Sequence, residues 1–495
     1  MIYPSEKEFL KLAKKGNLIP VYKQILADLE TPVSAYSKIA DGSYSFLLES
    51  VEEQEKIGRF SFLAAQPIMV FQSKGKRIKI IDRAKKKTRT FTTLTHPLEE
   101  IKKIMSSFKI VDLAGLPRFC GGLVGYIGYD CVRFFERLPK INKDDLRLPD
   151  STLMLAKDLL IFDHIQRTIK IVSCAYIAKD KSPAALKRAY RNSLAVIEGN
   201  HRRLKNRVVK GRKESLKKSK NKFKITSNLK EKDFLQAVTK AKDYIRKGDI
   251  IQVVLSQRFS VDFRGQSFSL YRNLRSINPS PYMFFLKLGN FSLVGSSPEM
   301  LVRYEQGKVE TRPIAGTRPR GVSDAEDERL KKELLADAKE RAEHTMLVDL
   351  GRNDLGRVCK FKSINLAEFM KIEYYSHVMH IVSSIQGILK KTCDIFQLLI
   401  ACFPAGTVTG APKVRAMEII EELEGLSRGP YAGCVGYFSF AGNLDTCITI
   451  RTILIKGNKA YVQAGAGIVA DSKPKKEYQE TVNKAKAMLE ALKIG

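Results

Sequence analysis

Apolar and polar positions along this chain follow two rhythms. Short runs rich in β-branched and aromatic residues predict strands within the first 200 residues: "YSFLLESV" (44–51), "RIKIID" (77–82) and "TIKIVSCAYI" (168–177). Gly-rich stretches such as "CGGLVGYIGYD" (120–130) read as turns between them. After residue 226 the pattern sharpens. Phe234, Val238, Ala241 and Ile245 recur at helical spacing, Ser227 or Asn228 is placed to cap, and Gly248 to end the helix. Strands are expected in "IIQVVLSQRFSV" (250–261), "FFLKLGNFSLVGSS" (284–297), "CVGYFSFAG" (434–442), "DTCITIRTILIK" (445–456) and "KAYVQAGAG" (459–467). Helices are expected in "DAEDERLKKELLADAKERAEHTMLVDL" (324–350), in "APKVRAMEIIEELEG" (411–425) between Pro412 and Gly425, and at the end of the chain (475–493). Antiparallel-looking strands with interspersed helices and no βαβ alternation predict an α+β fold. No internal repeat is visible.

Composition narrows the class. The chain has 495 residues, 44% hydrophobic and 28% charged, enough for a deep core. No apolar run reaches the ~18–20 residues of a membrane span, and the first residues lack the apolar stretch of a secretory leader. Eight scattered cysteines without a C-x-x-C pair point to reduced thiols in a cytoplasm, not to a zinc ribbon or disulfide framework. The net charge is +33, and residues 201–232 alone hold 14 Lys and Arg against 2 acidic residues. The stretch from about 200 to 228 reads as a basic linker or loop, and the remaining excess is spread thinly. No nucleic-acid partner is expected, although a positive field would help capture an anionic substrate.

Familiar phosphate loops do not survive inspection. "GAGIVAD" (465–471) has a dinucleotide-loop spacing, but too little chain follows for the second strand with its acidic residue. "GTVTGAPK" (406–413) is not a Walker A motif, although a Gly-rich turn entering a helix offers N–H groups to an anion. Better candidates are acidic. Glu343 stands beside a stripe made by Leu335, Ala338, Ala342 and Met346, and Glu477 and Glu480 share one face of the last helix. Such carboxylates suit Mg²⁺, a hard ion that takes oxygen ligands; the plain alternative is a solvated face paired with Lys473, Lys476 and Lys484. His344, His377 and His380 are structural by default, with proton transfer the minority role. Arg312, Arg318, Arg320 and Arg451, with Thr317, Thr407 and Tyr431, suit a small polycarboxylate.

Several long segments resemble the chorismate-utilising enzyme family: "RPIAGTRPRG" (312–321), "ERAEHTMLVDLGRNDLGRV" (340–358), "HVMHIVSSIQG" (377–387), "PAGTVTGAPKVRAMEII" (404–420), "PYAGCVGY" (430–437) and "QAGAGIVADSKPKKEYQET" (463–481). "TPVSAY" (31–36), "FLLESVE" (46–52) and "NPSPYMFFL" (278–286) resemble its anthranilate synthase branch. The resemblance implies a sandwich of two large, mainly antiparallel sheets flanked by helices. It also implies an N-terminal region (1–200) with a tryptophan regulatory site, the basic segment 201–228, and a chorismate-binding catalytic region (229–495), the outer two interleaved.

The implied chemistry is amination of chorismate at C2, loss of the C4 hydroxyl, and elimination of pyruvate to give anthranilate. By the same resemblance, Glu343 and Glu480 ligate Mg²⁺ with Glu477 close by, and Gly316, Thr317, Tyr431, Arg451 and the Gly465–Ala466–Gly467 backbone bind chorismate. His380 and Glu299 assist departure of the hydroxyl, Glu299 as general acid, with Thr407 in the catalytic group. Two positions choose the branch. Gln252 stands where water-using relatives carry a lysine base, and Ala315 where many aminodeoxychorismate synthases carry a nucleophilic lysine. Direct attack by ammonia is the reading left, with aminodeoxychorismate synthase as the alternative. Ser50, Pro281, Tyr282 and Met283 are implied in tryptophan feedback. A glutamine amidotransferase subunit supplying ammonia is the implied partner, in a heterotetramer.

Overall fold

The computed structural model describes residues 2–50, 58–178, 180–206, 224–375 and 378–494. Most of the basic segment, and His377, therefore lie outside the described residues. Two large sheets, antiparallel throughout, organise the rest. The first runs Ile2–Tyr3, Leu18–Leu26, Thr168–Tyr176, Asp158–Asp163, Phe60–Ala65, Tyr44–Glu49, Tyr282–Leu288, Phe291–Ser297, Thr452–Lys456, Lys459–Ile468, Gln252–Asp262 and Thr226–Ser227. The second runs Ile314–Pro319, Val378–Ile388, Lys308–Thr311, Met300–Glu305, Leu444–Ile448, Cys434–Ser439, Gly122–Ile127, Ser151–Ala156, Met69–Lys74, Arg77–Asp82 and Lys87–Thr92, with Asn365–Tyr374 also paired to Val378–Ile388. Strands from both ends of the chain enter both sheets.

Strand alternation explains the layering. Phe46, Phe62, Phe284 and Leu286 point between the sheets, where Phe62 meets Tyr437 at 6.0 Å and Tyr126 meets Phe291 at 6.0 Å between ring centroids. Their neighbours Leu47, Leu63, Met283 and Phe285 face the other way, onto helices that include Ser267–Ile277 and Pro474–Ile494. This is the α+β sandwich expected from the sequence. All eight cysteines are unpaired, and among the described residues no helix is long and apolar enough to cross a membrane.

Several local expectations need correction. "CGGLVGYIGYD" is no turn: Gly122–Ile127 is a wholly buried strand, and a Cβ on Gly125 would lie 2.0 Å from the Thr152 carbonyl oxygen. The segment 324–350 is two helices, Asp324–Ala336 and Ala338–Gly356, because Asp337 accepts the Lys339 and Glu340 N–H groups and restarts the helix. The second buries His344, Leu347, Val348 and Leu355, and leaves Ala338 and Ala342 exposed. Helix Glu231–Arg246 has no side-chain cap: Asn228 instead accepts the Arg258 N–H at 2.7 Å, and Ser227 bonds Gln257.

The most consequential difference is in "DTCITIRTILIK", which is two strands. Leu444–Ile448 belongs to the second sheet and Thr452–Lys456 to the first, so the chain crosses between sheets at residues 449–451. It crosses the other way between Ser297 and Met300. The crossings are stitched together: Ile448 N–H donates to the Glu299 carbonyl at 3.0 Å, and Ser296 N–H to the Arg451 carbonyl at 3.1 Å.

A buried ion pair anchors the region beneath. Helix Lys413–Glu424 ends in Glu424, which is bridged to Arg428 at 2.6 Å with both side chains about fully enclosed. Glu424 also accepts from Ser256 N–H and Oγ, and Arg428 donates to the Val408 and Val254 carbonyls. Removing one member of such a pair strands the other charge. Arg428→Met should therefore cost about 3–5 kcal/mol in chemical denaturation; a loss below about 1 kcal/mol would show that the pair is not a tie.

Candidate functional site

The two crossings and the Gly465–Ala466–Gly467 strand come together in one cluster. Gly467 supplies its centre. A Cβ there would lie 2.5 Å from Gln252 Nε2 and 3.8 Å from Glu343 Oε1, so a larger residue would displace the Gln252 amide from its place over the strand. Those side chains are joined, Gln252 Nε2 donating to Glu343 Oε1 at 3.0 Å. At Gly465 the last helix arrives: Lys484 Nζ donates to the Gly465 carbonyl at 3.1 Å and pairs with Glu480 at 2.6 Å. A Cβ on Gly465 would meet the Tyr431 hydroxyl at 2.8 Å. Residues from four distant stretches of chain thus touch three consecutive backbone positions.

The opposite wall comes from the second sheet. A β-bulge between Ala315 and Thr317 leaves Gly316 at φ +67° and turns its carbonyl toward His380. His380 Nδ1 lies 2.9 Å from that carbonyl and 3.1 Å from Thr317 Oγ1. A carbonyl only accepts, so Nδ1 carries the hydrogen and Nε2 is left as an acceptor. Burial pushes the His380 imidazole down to about 4, the Gly316 bond opposing and Arg451 and Lys484 adding to the shift. His380 is therefore neutral at pH 7. Glu299 is the complement: burial pushes its carboxyl up to about 8, against the Thr407 hydroxyl, the Ile314 N–H and Lys484. It is protonated at pH 7.

Acidic crowding marks the remaining corner. Burial raises Glu340, and the charge of Glu343 raises it further; burial likewise raises Glu477, with Glu480 adding to it. Lys339, on the helix of Glu343, acts on Glu477 in the opposite sense. No three His, Cys, Asp or Glu side chains among the described residues are close enough to hold a metal ion by themselves. Like charges crowded at two points nevertheless fit a hard cation that takes one or two carboxylates and completes its shell with water and substrate.

The arginines sort themselves. Arg312 is committed to Glu373 and Glu368, Arg318 to Glu333, Asp337 and Glu340, and Arg320 to Asp327, so these three do not suit a substrate carboxylate. Arg451 is different. Its guanidinium donates to the Lys484 carbonyl at 3.3 Å, and burial disfavours its charge, with Tyr431 and Glu480 opposing. His344 is packed inside, 2.6 Å from Ser383 Oγ. Lys484 and Arg428 were missed as site residues: one read as a surface pairing partner, and the other carries no motif signal.

The residues 50 and 281–283 meet elsewhere. Ser50, Pro281, Tyr282 and Met283 all line a separate cavity of about 630 Å³ between the sheets, a volume usual for small-molecule sites. The Ser50 hydroxyl is buried there without a hydrogen-bond partner among the described residues, while Tyr282 donates to Asp445 at 3.0 Å.

Comparison with known proteins agrees with this geometry. Residues 44–490 match the family of chorismate binding enzymes. Anthranilate synthase component 1 of Acetivibrio thermocellus is 49% identical, covering 99% of each chain, and that of Aquifex aeolicus is 46% identical over 99% of this chain and 98% of its own. Among solved structures, anthranilate synthase component I from Streptococcus pneumoniae superposes with a TM-score of 0.75 at 35% identity, covering 94% of this chain and 99% of that one. The menaquinone-specific isochorismate synthase of Escherichia coli, at 20% identity and TM-score 0.68, shares the fold. The chain belongs to the chorismate-binding enzyme family, among the anthranilate synthase component 1 proteins.

Proposed function

We propose that this chain aminates chorismate with ammonia to give anthranilate and pyruvate, with Mg²⁺ as cofactor and a glutamine amidotransferase subunit as ammonia source in a heterotetramer. The observation that carries the site assignment is the convergence of Glu343, Gln252, Glu480 and Lys484 on the Gly465–Gly467 backbone. Glu343 and Glu480 would hold the ion, with Glu477 behind them. When bound, Mg²⁺ supplies charge neutralisation for the ring carboxylate. Arg451 and the Gly465–Gly467 backbone hold the substrate's carboxylates, and Gly316, Thr317 and Tyr431 enclose the ring. His380 Nε2 accepts from the C4 hydroxyl and orients it, while the Glu299 carboxyl, with Thr407 beside it, donates the proton on which that hydroxyl leaves as water.

Gln252 and Ala315 support this branch. A glutamine bonded to Glu343 offers no base for water, and no lysine stands at 315 to attack the ring. The test is purified protein with chorismate, ammonium and Mg²⁺, followed by fluorescence. Anthranilate should accumulate without a lyase; an aminated, non-fluorescent product would favour aminodeoxychorismate synthase instead.

The cavity at Ser50 is proposed as the tryptophan feedback site, since it joins a buried hydroxyl, without a partner among the described residues, to walls that mix apolar and charged side chains. Ser50→Ala removes one hydrogen bond to the effector. Inhibition should weaken by about tenfold, with uninhibited turnover unchanged. An unaltered inhibition curve would remove Ser50 from the effector's contacts.

A further inference from the structure

A second cavity, of about 970 Å³, abuts the one at Ser50 and shares with it Arg59, Phe60, Arg118, Glu305 and Gln306. None of the residues gathered at Gly465–Gly467 lines it. On its floor, strands Leu18–Leu26 and Thr168–Tyr176 pair Gln24 with Lys170. Lys170 is only 4% exposed and lines the cavity, and its side chain forms no hydrogen bond or ion pair among the described residues. The other cations there are committed: Arg59 bridges Asp163 at 2.9 Å, and Arg118 holds Glu305 at 3.3 Å and Asp445 at 2.8 Å.

The stem of Lys170 is covered while its ammonium opens into the cavity, where its surroundings offer only a longer-range attraction to Asp163, opposed by Arg59. The exposed Asp112 stands at the rim. Much of the remaining wall is apolar or aromatic, with Tyr22, Phe60, Ile110, Leu116 and Tyr304. Of the cations that line the cavity, Lys170 alone has no ion-pair partner among the described residues, and it is set against ring-sized apolar surface. We infer that this cavity is a second small-molecule site, taking an aromatic monocarboxylate whose carboxylate pairs with Lys170 and whose ring packs on Tyr22 and Phe60. Its shared wall makes Arg59 and Arg118 common to both cavities.

The experiment titrates benzoate into the full-length protein by calorimetry, beside benzyl alcohol as a neutral analogue and inorganic phosphate as a bare anion. Benzoate should bind saturably and the other two should not. Lys170→Met should weaken benzoate at least about tenfold, while Lys170→Arg retains most of the affinity and Ser50→Ala all of it. Wild-type protein labelled sparingly with trinitrobenzenesulfonate gives a readout independent of any variant's folding: benzoate should protect Lys170 in the peptide map. Absence of saturable benzoate binding, equal binding to Lys170→Met, or Lys170 labelling indifferent to benzoate would each overturn the assignment.

Discussion

Glu480→Gln is expected to lower chorismate-dependent anthranilate formation by about 10³-fold or more at saturating Mg²⁺, equivalent to about 4 kcal/mol of lost transition-state stabilisation. The fold should be untouched. Among the described residues Glu480 pairs with Lys484, and both side chains are more than a third exposed. An exposed pair of this kind contributes about 0.2–1 kcal/mol, too little for its loss to unfold the chain. Activity and stability should therefore separate. Glu343→Gln should behave alike in activity, although it also disturbs the bond from Gln252. Titrating Mg²⁺ against rate provides the check, since a ligand's loss raises the magnesium requirement before it abolishes turnover. Wild-type rates and an unchanged magnesium curve in Glu480→Gln would remove the ion from this corner.

How much of this was legible beforehand depended on whether a residue's neighbours lie near it in the chain. The β-like run in "YSFLLESV" and helical spacing at Phe234, Val238, Ala241 and Ile245 are local signals, and both became elements where expected. The break at residues 449–451 has no local signal, because its cause is the distance between two sheets. Neither a proline nor a glycine marks it, and Arg451 takes φ +50° there. The split at Asp337 was readable in principle, since an aspartate two and three residues before two free N–H groups is a cap, but it sat within an unbroken helical composition. Site residues followed the same division. Glu343, Glu477 and Glu480 stood out as carboxylates on helices, whereas burial of Glu477 and the commitment of Arg312, Arg318 and Arg320 to internal carboxylates depend on partners from other elements. Lys484 looked like one more lysine on a basic chain until Gly465 supplied its acceptor.

Glu299→Gln is expected to reduce kcat/KM by about 10²–10⁴-fold, the range for losing a positioned general acid, and to change the pH profile in a way that simple disruption would not. In the wild type the carboxyl is held up to about 8 by burial, so the donor is present throughout the neutral range and disappears as pH rises through about 8. The residual activity of Glu299→Gln should lack that alkaline limb. Stability gives an independent reading of the same proton. Because the folded value lies above the ordinary 4.5, the native chain holds a proton between the two values that the unfolded chain has lost. The group's contribution to folding is fully present below about 4.5 and is lost as pH rises through about 8. Glutamine cannot ionise, so the variant should gain stability relative to wild type between pH 5 and pH 9, measured by denaturant titration at each pH. If instead Glu299→Gln kept the alkaline limb, the proton would have to come from another group. His380, neutral and bonded through Nδ1 to Gly316, cannot supply it at pH 7. On the proposed reading the two side chains divide the work between them, one as acceptor and orienter, the other as proton donor, and the double variant should lose little beyond the Glu299 substitution alone.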